Sequence, residues 1–413
     1  MRKGHHDGPG GVRGKLTTSA AVWAVAAELA AIFVLSTLPT PLYSLYRKEF
    51  GFSQIVLTVT YAVYVVGSLS TMFFLGRLSD QIGRRPVVFA AAGIAAASAV
   101  VFVFAASTPA LLAARILSGF AMALASGAST AWIVEHTGDD EARGTRIAIG
   151  ANLLGLGVGP ILAGCFAQFG LAPFRSPYLV FLGLLLFAVA AIWLSPETVR
   201  DGKPLRQASL RPRLGVPREL RSRFASPAIG AFATFSLLGF YSALVPALLE
   251  HALHNSSEAL AGAVVGGLFL VGTLTIVATP RLDPRTGMLS GLALLIPATA
   301  LLVLAEAVHS LVLLLLGTAI AGVASALGYR CGLQVVNQLS PADRRSEVVS
   351  TYLIVCYAAI SLPVVGVALV STAAGPLFAD AVFGGIVVVL AIAALAFELT
   401  VARRASPRAA HAT

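Results

Sequence analysis

The sequence predicts an all-α integral membrane protein of twelve transmembrane helices, and three observations carry that expectation. The chain of 413 residues is 57% hydrophobic and only 12% charged, with a mean hydropathy of +0.85. Soluble domains average roughly 25% charged residues and need a polar surface, which this composition does not supply. Apolar runs long enough to cross the ~30 Å hydrocarbon core, about 20 residues each, recur twelve times. The basic residues are confined to alternate connections between those runs.

The expected spans are 18–38, 54–75, 86–106, 109–134, 146–168, 177–195, 226–249, 258–279, 287–305, 309–336, 348–371 and 377–400. The polar start, MRKGHHDGPGGVRGKL, reads as a tail rather than a signal peptide, because the apolar run behind it is of full membrane length. Lys and Arg gather in cytoplasmic loops. Placing both termini in the cytoplasm puts 24 of the 29 basic residues inside and only Arg47, Lys48 and Arg175 outside, with Arg115 and Arg330 inside helices. A formal charge of +10 can indicate a nucleic-acid partner. Here the charges punctuate apolar runs, so they are read as topology signals and no nucleic-acid partner is expected.

The domains follow. Residues 1–17 are a cytoplasmic tail, 18–195 a first six-helix half, and 196–225 a basic Pro-rich cytoplasmic linker. Residues 226–400 are a second half and 401–413 a second tail. One shift of 203 residues carries Asp80 onto Asp283, Gly119 onto Gly322, Asp140 onto Asp343 and Pro160 onto Pro363. A parallel repeat of six helices implies a pseudo-twofold axis along the membrane normal and a cavity between the halves near the midplane.

Three motifs add detail. The loop after the second span reads GRLSDQIGRRPVV, where Gly76 and Gly83 permit a tight turn and Asp80 is an anion beside Arg84 and Arg85. The fourth span carries RILSG, Arg115 to Gly119. The fifth carries GLGVGPILAG, in which Gly155 and Gly159 form a face for close helix contact and Pro160 removes a backbone donor. AGAVVGG at 261–267 supplies a small-residue partner across the half interface. Together with Pro196-Glu197-Thr198 after the sixth span, these motifs resemble those of the major facilitator superfamily over nearly the whole chain.

The resemblance implies the twelve-helix fold of that family and a secondary transporter. Within it, GLGVGPILAG, ending in Gly164, is similar to the signature of the drug:proton antiporter branch, with Ala163 in place of one glycine. The aspartate matching Asp80 is implied to latch the halves on the cytoplasmic side, near the start of the eleventh span. The copy at 281–287 keeps Asp283 without the glycines, which argues against a second latch. The arginine matching Arg115 is implied in proton coupling.

The residues also point to a site directly. Glu28 stands at the middle of the first apolar run, where an ionisable group is costly and marks function. Desolvation and a nearby cation pull a carboxyl group in opposite directions, so it can take and release a proton near neutral pH. Proton coupling is therefore expected of Glu28, and the resemblance implies it for Arg115. The partner of Glu28 stays open, since Arg115 stands about 10 Å away along the axis, a gap that only long side chains and favourable packing bridge. Substrate-binding candidates are Tyr61, Tyr64, Asn152, Tyr241, Arg330 and Tyr357. Glu306 and His309 are expected to be solvated, Glu398 interfacial, and the three cysteines, Cys165, Cys331 and Cys356, small buried hydrophobes.

The expected function is proton-driven efflux of a small hydrophobic or amphiphilic compound, a drug or a metabolite. The alternative is import or export of a sugar, organic acid or other anionic metabolite, which Arg330 favours. No catalytic triad, phosphate loop or metal-ligand cluster appears, so neither an enzyme nor a cofactor nor a metal is expected. The partners are a small molecule and the lipid bilayer of the cell membrane, and the chain is expected to be a monomer.

Overall fold

A computed structural model of the protein describes residues 17–170, 172–199, 202–207, 209, 214–341 and 344–405. The two tails' remaining residues and Asp343 of the repeat comparison lie outside these.

Among the described residues twelve helices are long and apolar enough to cross a membrane. They are α1 Thr18–Phe50, α2 Gln54–Leu75, α3 Arg84–Val103, α4 Thr108–Thr137, α5 Glu141–Phe169 and α6 Ser176–Trp193 in the first half. In the second they are α7 Arg218–Ala243, α8 Glu258–Ala278, α9 Pro284–Ala307, α10 Leu311–Leu339, α11 Glu347–Ala374 and α12 Pro376–Glu398. Every expected span is present. The largest differences lie at helix ends. The first run does not stop at 38 but continues through a tight 3-10 turn, Thr40–Leu42, to Phe50. The α5 helix begins at Glu141, five residues early, because Asp140 caps it by accepting from the Arg143 N–H at 2.9 Å.

The packing repeats between halves. In the first half α1 packs on α4, α5 and α6, α4 on α2 and α3, and α3 on α6. In the second half α7 packs on α10, α11 and α12, α10 on α8 and α9, and α9 on α12. The halves meet through the symmetric pairs α5 with α8 and α2 with α11. The aligned glycines match in role: a Cβ on Gly119 would lie 1.9 Å from the Tyr64 carbonyl oxygen of α2, and one on Gly322 2.5 Å from that of Leu268 in α8.

Glycines set the closest approaches. Gly155 and Gly159 press on α1, where an added Cβ would stand 2.2 Å from the Ala30 oxygen or 2.5 Å from that of Val34. The α8 partner is a different face of the same motif. Gly164 faces Glu258 and Gly262, and Gly157 faces Gly266. The expected small-residue seam between halves therefore exists, but Gly155 and Gly159 are not in it. Pro160 cannot donate to the carbonyl of Leu156, and the Thr37 hydroxyl of α1 donates to that oxygen at 2.9 Å instead.

The face carrying the α2–α3 connection and the linker holds most of the loop arginines, and is called the basic face below. There Arg84 binds Glu135 through Nη2 at 2.7 Å, Ser79 at 2.8 Å, and Asp80. Glu197 accepts from the first backbone N–H groups of α3, Arg84 at 3.1 Å and Arg85 at 2.9 Å, where the helix dipole favours an anion. Gly83 has φ 112°, and a Cβ there would sit 2.8 Å from Glu197 Oε2, so glycine is required twice over. Gly76 is in ordinary right-handed conformation and needs no such freedom. Arg85 stacks on Trp193, 5.3 Å from its ring centre. The motif and the Pro-Glu-Thr segment thus form one cluster within the first half.

Candidate substrate cavity

Four helices of the first half and four of the second converge on a narrow central cavity of about 70 Å³. Tyr61, Tyr64, Tyr329 and Tyr357 contribute rings to its wall, and Arg115 and Asn152 contribute polar groups. Hydroxyl contacts cross it between the halves, Tyr61 with Ser242 and Tyr357 with Ser126.

Arg115 is the one charged residue among the described lining residues. Its relative exposure is 1%, and its partners are uncharged. Nη1 donates to the Ser36 carbonyl at 2.8 Å and Nη2 to that of Tyr61 at 3.1 Å. The guanidinium lies 4.6 Å from the Tyr64 ring centre and 5.8 Å from that of Tyr61. Carbonyl dipoles and ring faces stabilise a cation without neutralising it. The cavity therefore keeps a net positive charge.

Glu28 is not in this lining. It is fully buried between α1 and α4, and its Oε2 accepts from the Ser129 hydroxyl at 2.7 Å. Its other oxygen, Oε1, has no partner among the described residues. Ser129 lies fourteen residues beyond Arg115 on the same helix, an axial separation of about 20 Å. The structure therefore does not pair Glu28 with Arg115.

Of the sequence candidates, the structure brings Tyr61, Tyr64, Asn152, Tyr357 and Arg115 together. It places two others elsewhere. Tyr241 is buried inside the second half, with its hydroxyl 3.4 Å from Thr318. Arg330 donates to the Thr279 carbonyl at the end of α8 at 2.7 Å, so it serves as a C-terminal cap rather than a cavity cation. Its neighbour Tyr329 lines the cavity instead. Nothing in composition separated the two, because one residue along a helix rotates a side chain by about 100°. Glu306 is also not solvated: it is 6% exposed and lies beside Asp380. Cys165 is exposed while Cys331 and Cys356 are buried. Glu398, 12% exposed at its side chain, pairs with Arg285 at 2.8 Å.

On the face away from the basic one the halves are tied together. Ser44 donates to Glu258 at 2.6 Å, Lys48 pairs with Glu250 at 3.1 Å, and the Glu258 N–H donates to Gln168 at 3.1 Å. Toward the basic face a groove of about 500 Å³ opens between α1, α5 and α8. The Asp80 carboxylate is engaged by Arg84 of its own half. The chain is thus closed on the opposite face.

Comparison with known proteins decides the family, since the model of the Major Facilitator Superfamily matches residues 25–362. The chain belongs to that superfamily. It is a membrane transporter, not an enzyme, and transporters of this kind bind small molecules within the membrane. Multidrug resistance protein MdtL of Klebsiella pneumoniae is 26% identical over 314 residues, covering 74% of this chain and 77% of that protein. Multidrug transporter MdfA of Yersinia pestis is 28% identical over 247 residues, 58% of each chain. Among solved structures, the human organic anion transporter MFSD10 superposes with a TM-score of 0.66 at 19% identity, covering 92% of this chain and all of that one. A POT family transporter reaches 0.73 at 11% identity, covering 93% and 96%. At such identities the structures show the shared fold alone.

Proposed function

We propose that this superfamily member exports small hydrophobic or amphiphilic compounds in exchange for protons, with Glu28 carrying the proton. The observation that bears most weight is the Glu28 carboxyl group: fully buried, one oxygen held by a single hydroxyl and the other without a partner among the described residues. Gaining or losing a proton there changes a buried charge, and among the described residues no cation pairs with Glu28 to cancel the change. Such a change biases the balance between two packings of the halves. Alternating access then opens the central cavity to each face in turn. The basic residues argue for a cytoplasmic basic face, so this conformation is closed toward the outside. Tyrosine rings and apolar side chains suit an amphiphilic substrate. The two multidrug transporters among the relatives support the same reading.

The test is transport by reconstituted protein in vesicles with an imposed pH gradient. Glu28→Gln keeps the shape of the side chain and the Ser129 contact. It is expected to insert and fold normally yet show no gradient-driven transport. Normal gradient-driven transport by this variant would sink the proton role.

Arg115 favours a second reading, transport of an anionic metabolite, because it leaves the cavity with one uncompensated positive charge. Export assays that compare a neutral probe with its carboxylate derivative distinguish the two readings.

A further inference from the structure

A second cavity, of about 450 Å³, opens on the face opposite the basic one, between the ends of α7, α9, α11 and α12. It is several times larger than the central cavity and within the ~300–1,000 Å³ range of small-molecule sites. Leu244, Leu248, Val367 and Leu377 give it apolar walls. Two acids lie in it, Glu306 near the end of α9 and Asp380 just after the first turn of α12. Their residues are 6% and 8% exposed, and their carboxyl groups are within hydrogen-bonding reach of each other. No donor of the described residues reaches Oε2 of Glu306.

Two carboxyl groups hydrogen-bond to each other only when one holds a proton. Side by side in a desolvated wall they do not both ionise unless a cation replaces that proton. Among the described residues no salt bridge reaches the pair, although His309 lies near enough to Glu306 to act on it electrostatically. Arg47, at the first-half rim of the cavity, gives its Nη1 to Gln54 at 2.7 Å. Lys48 is paired with Glu250. His309, whose Nδ1 is 2.6 Å from the Ala252 carbonyl oxygen, and His251 are the remaining titratable groups facing the cavity. By contrast, the central cavity holds a fixed cation and no carboxyl group among its described lining residues.

We propose that Glu306 and Asp380 form a binding site for an amphiphilic organic cation, which enters this cavity and displaces the proton the two carboxyl groups share. The exchange balances: one positive charge arrives, one proton leaves to water, and the net charge of the site is unchanged. The apolar walls take the body of the ligand. The site is distinct from the central cavity and from Glu28, and does not depend on the reading proposed above.

The experiment uses purified full-length protein and tetraphenylphosphonium, a permanent cation with no proton of its own. Binding is read by calorimetry and proton release by a pH indicator in weak buffer. Wild type is expected to release close to one proton per cation bound. Its affinity should rise about tenfold per pH unit over the range in which the pair keeps its proton. Glu306→Gln with Asp380→Asn preserves the shapes of both groups and should weaken binding at least tenfold, with proton release lost. Ala247→Phe leaves both acids in place but fills the cavity, and should abolish binding as well. Unchanged binding in either variant, or wild-type binding without proton release, overturns the proposal.

Discussion

The two halves share one packing scheme but place their buried charges at unrelated positions. Under the shift of 203, Arg115 falls on Thr318, Arg330 on Gly127, Glu28 on Ala231 and Glu306 on Val103. In the first half the buried arginine faces the central cavity, and the buried acid rests on one hydroxyl. In the second half the buried arginine caps a helix end, and the buried acid neighbours another acid at the opposite face. The scaffold repeats between the halves, then, while the buried charges do not. The lesson is that burial of an ionisable side chain is not one category. What matters is whether its partners leave a charge over, and whether that charge meets a cavity.

Substitutions can break this contrast. The largest effect is expected from Arg115→Met. It strips the donors from the Ser36 and Tyr61 carbonyls, at about 1–3 kcal/mol for each buried acceptor left unpaired. It also removes the only cation among the described lining residues. Vesicle transport should fall at least tenfold, alongside a lower melting temperature. Arg330→Met is the matched control in the other half. It should lose about 1–3 kcal/mol of stability from the Thr279 cap while transport stays within about twofold. If Arg330→Met abolishes transport in a protein that still folds, the assignment of Arg330 to capping is wrong. The smallest effect is at the closed face, where the Lys48–Glu250 pair joins the halves with side chains 63% and 29% exposed. Such an exposed pair contributes about 0–1 kcal/mol and is screened by salt. Lys48→Ala should modestly raise thiol labelling of a cysteine placed at Ala247, and high salt should do the same to the wild-type background. No change under either condition would mean that the Glu258 hydrogen bonds and the glycine seam hold this face shut without the ion pair.

Much of the fold was legible because lipid imposes simple rules on length and composition. Twelve apolar runs became twelve helices, and errors were confined to ends such as Thr40–Phe50, where the chain leaves hydrocarbon and caps decide. The site was legible only in part. Tyr61, Tyr64, Asn152, Tyr357 and Arg115 meet at the cavity, since polar residues in apolar helices tend to face protein. Which of two adjacent residues faces inward was not legible: Arg330 drew attention by its charge while Tyr329 took the wall. Partners were the least legible. Ser129 for Glu28 and Asp380 for Glu306 lie 101 and 74 positions away along the chain, and neither belongs to a motif.

The hydroxyl of Thr37 has a mechanical consequence. It grips the carbonyl that Pro160 leaves without a donor, midway along α5, while Gly155 and Gly159 bring the same stretch against α1. The α1 and α5 helices are therefore clamped into one lever. Across the seam to α8, Gly164 and Gly262 let backbone meet backbone, while the Leu270 side chain seats over Gly157 and that of Ile161 over Gly266. A stiff lever against a thin seam, with only small residues and two seated side chains between the backbones, concentrates movement there, so rocking between the halves requires no helix of the first half to unwind.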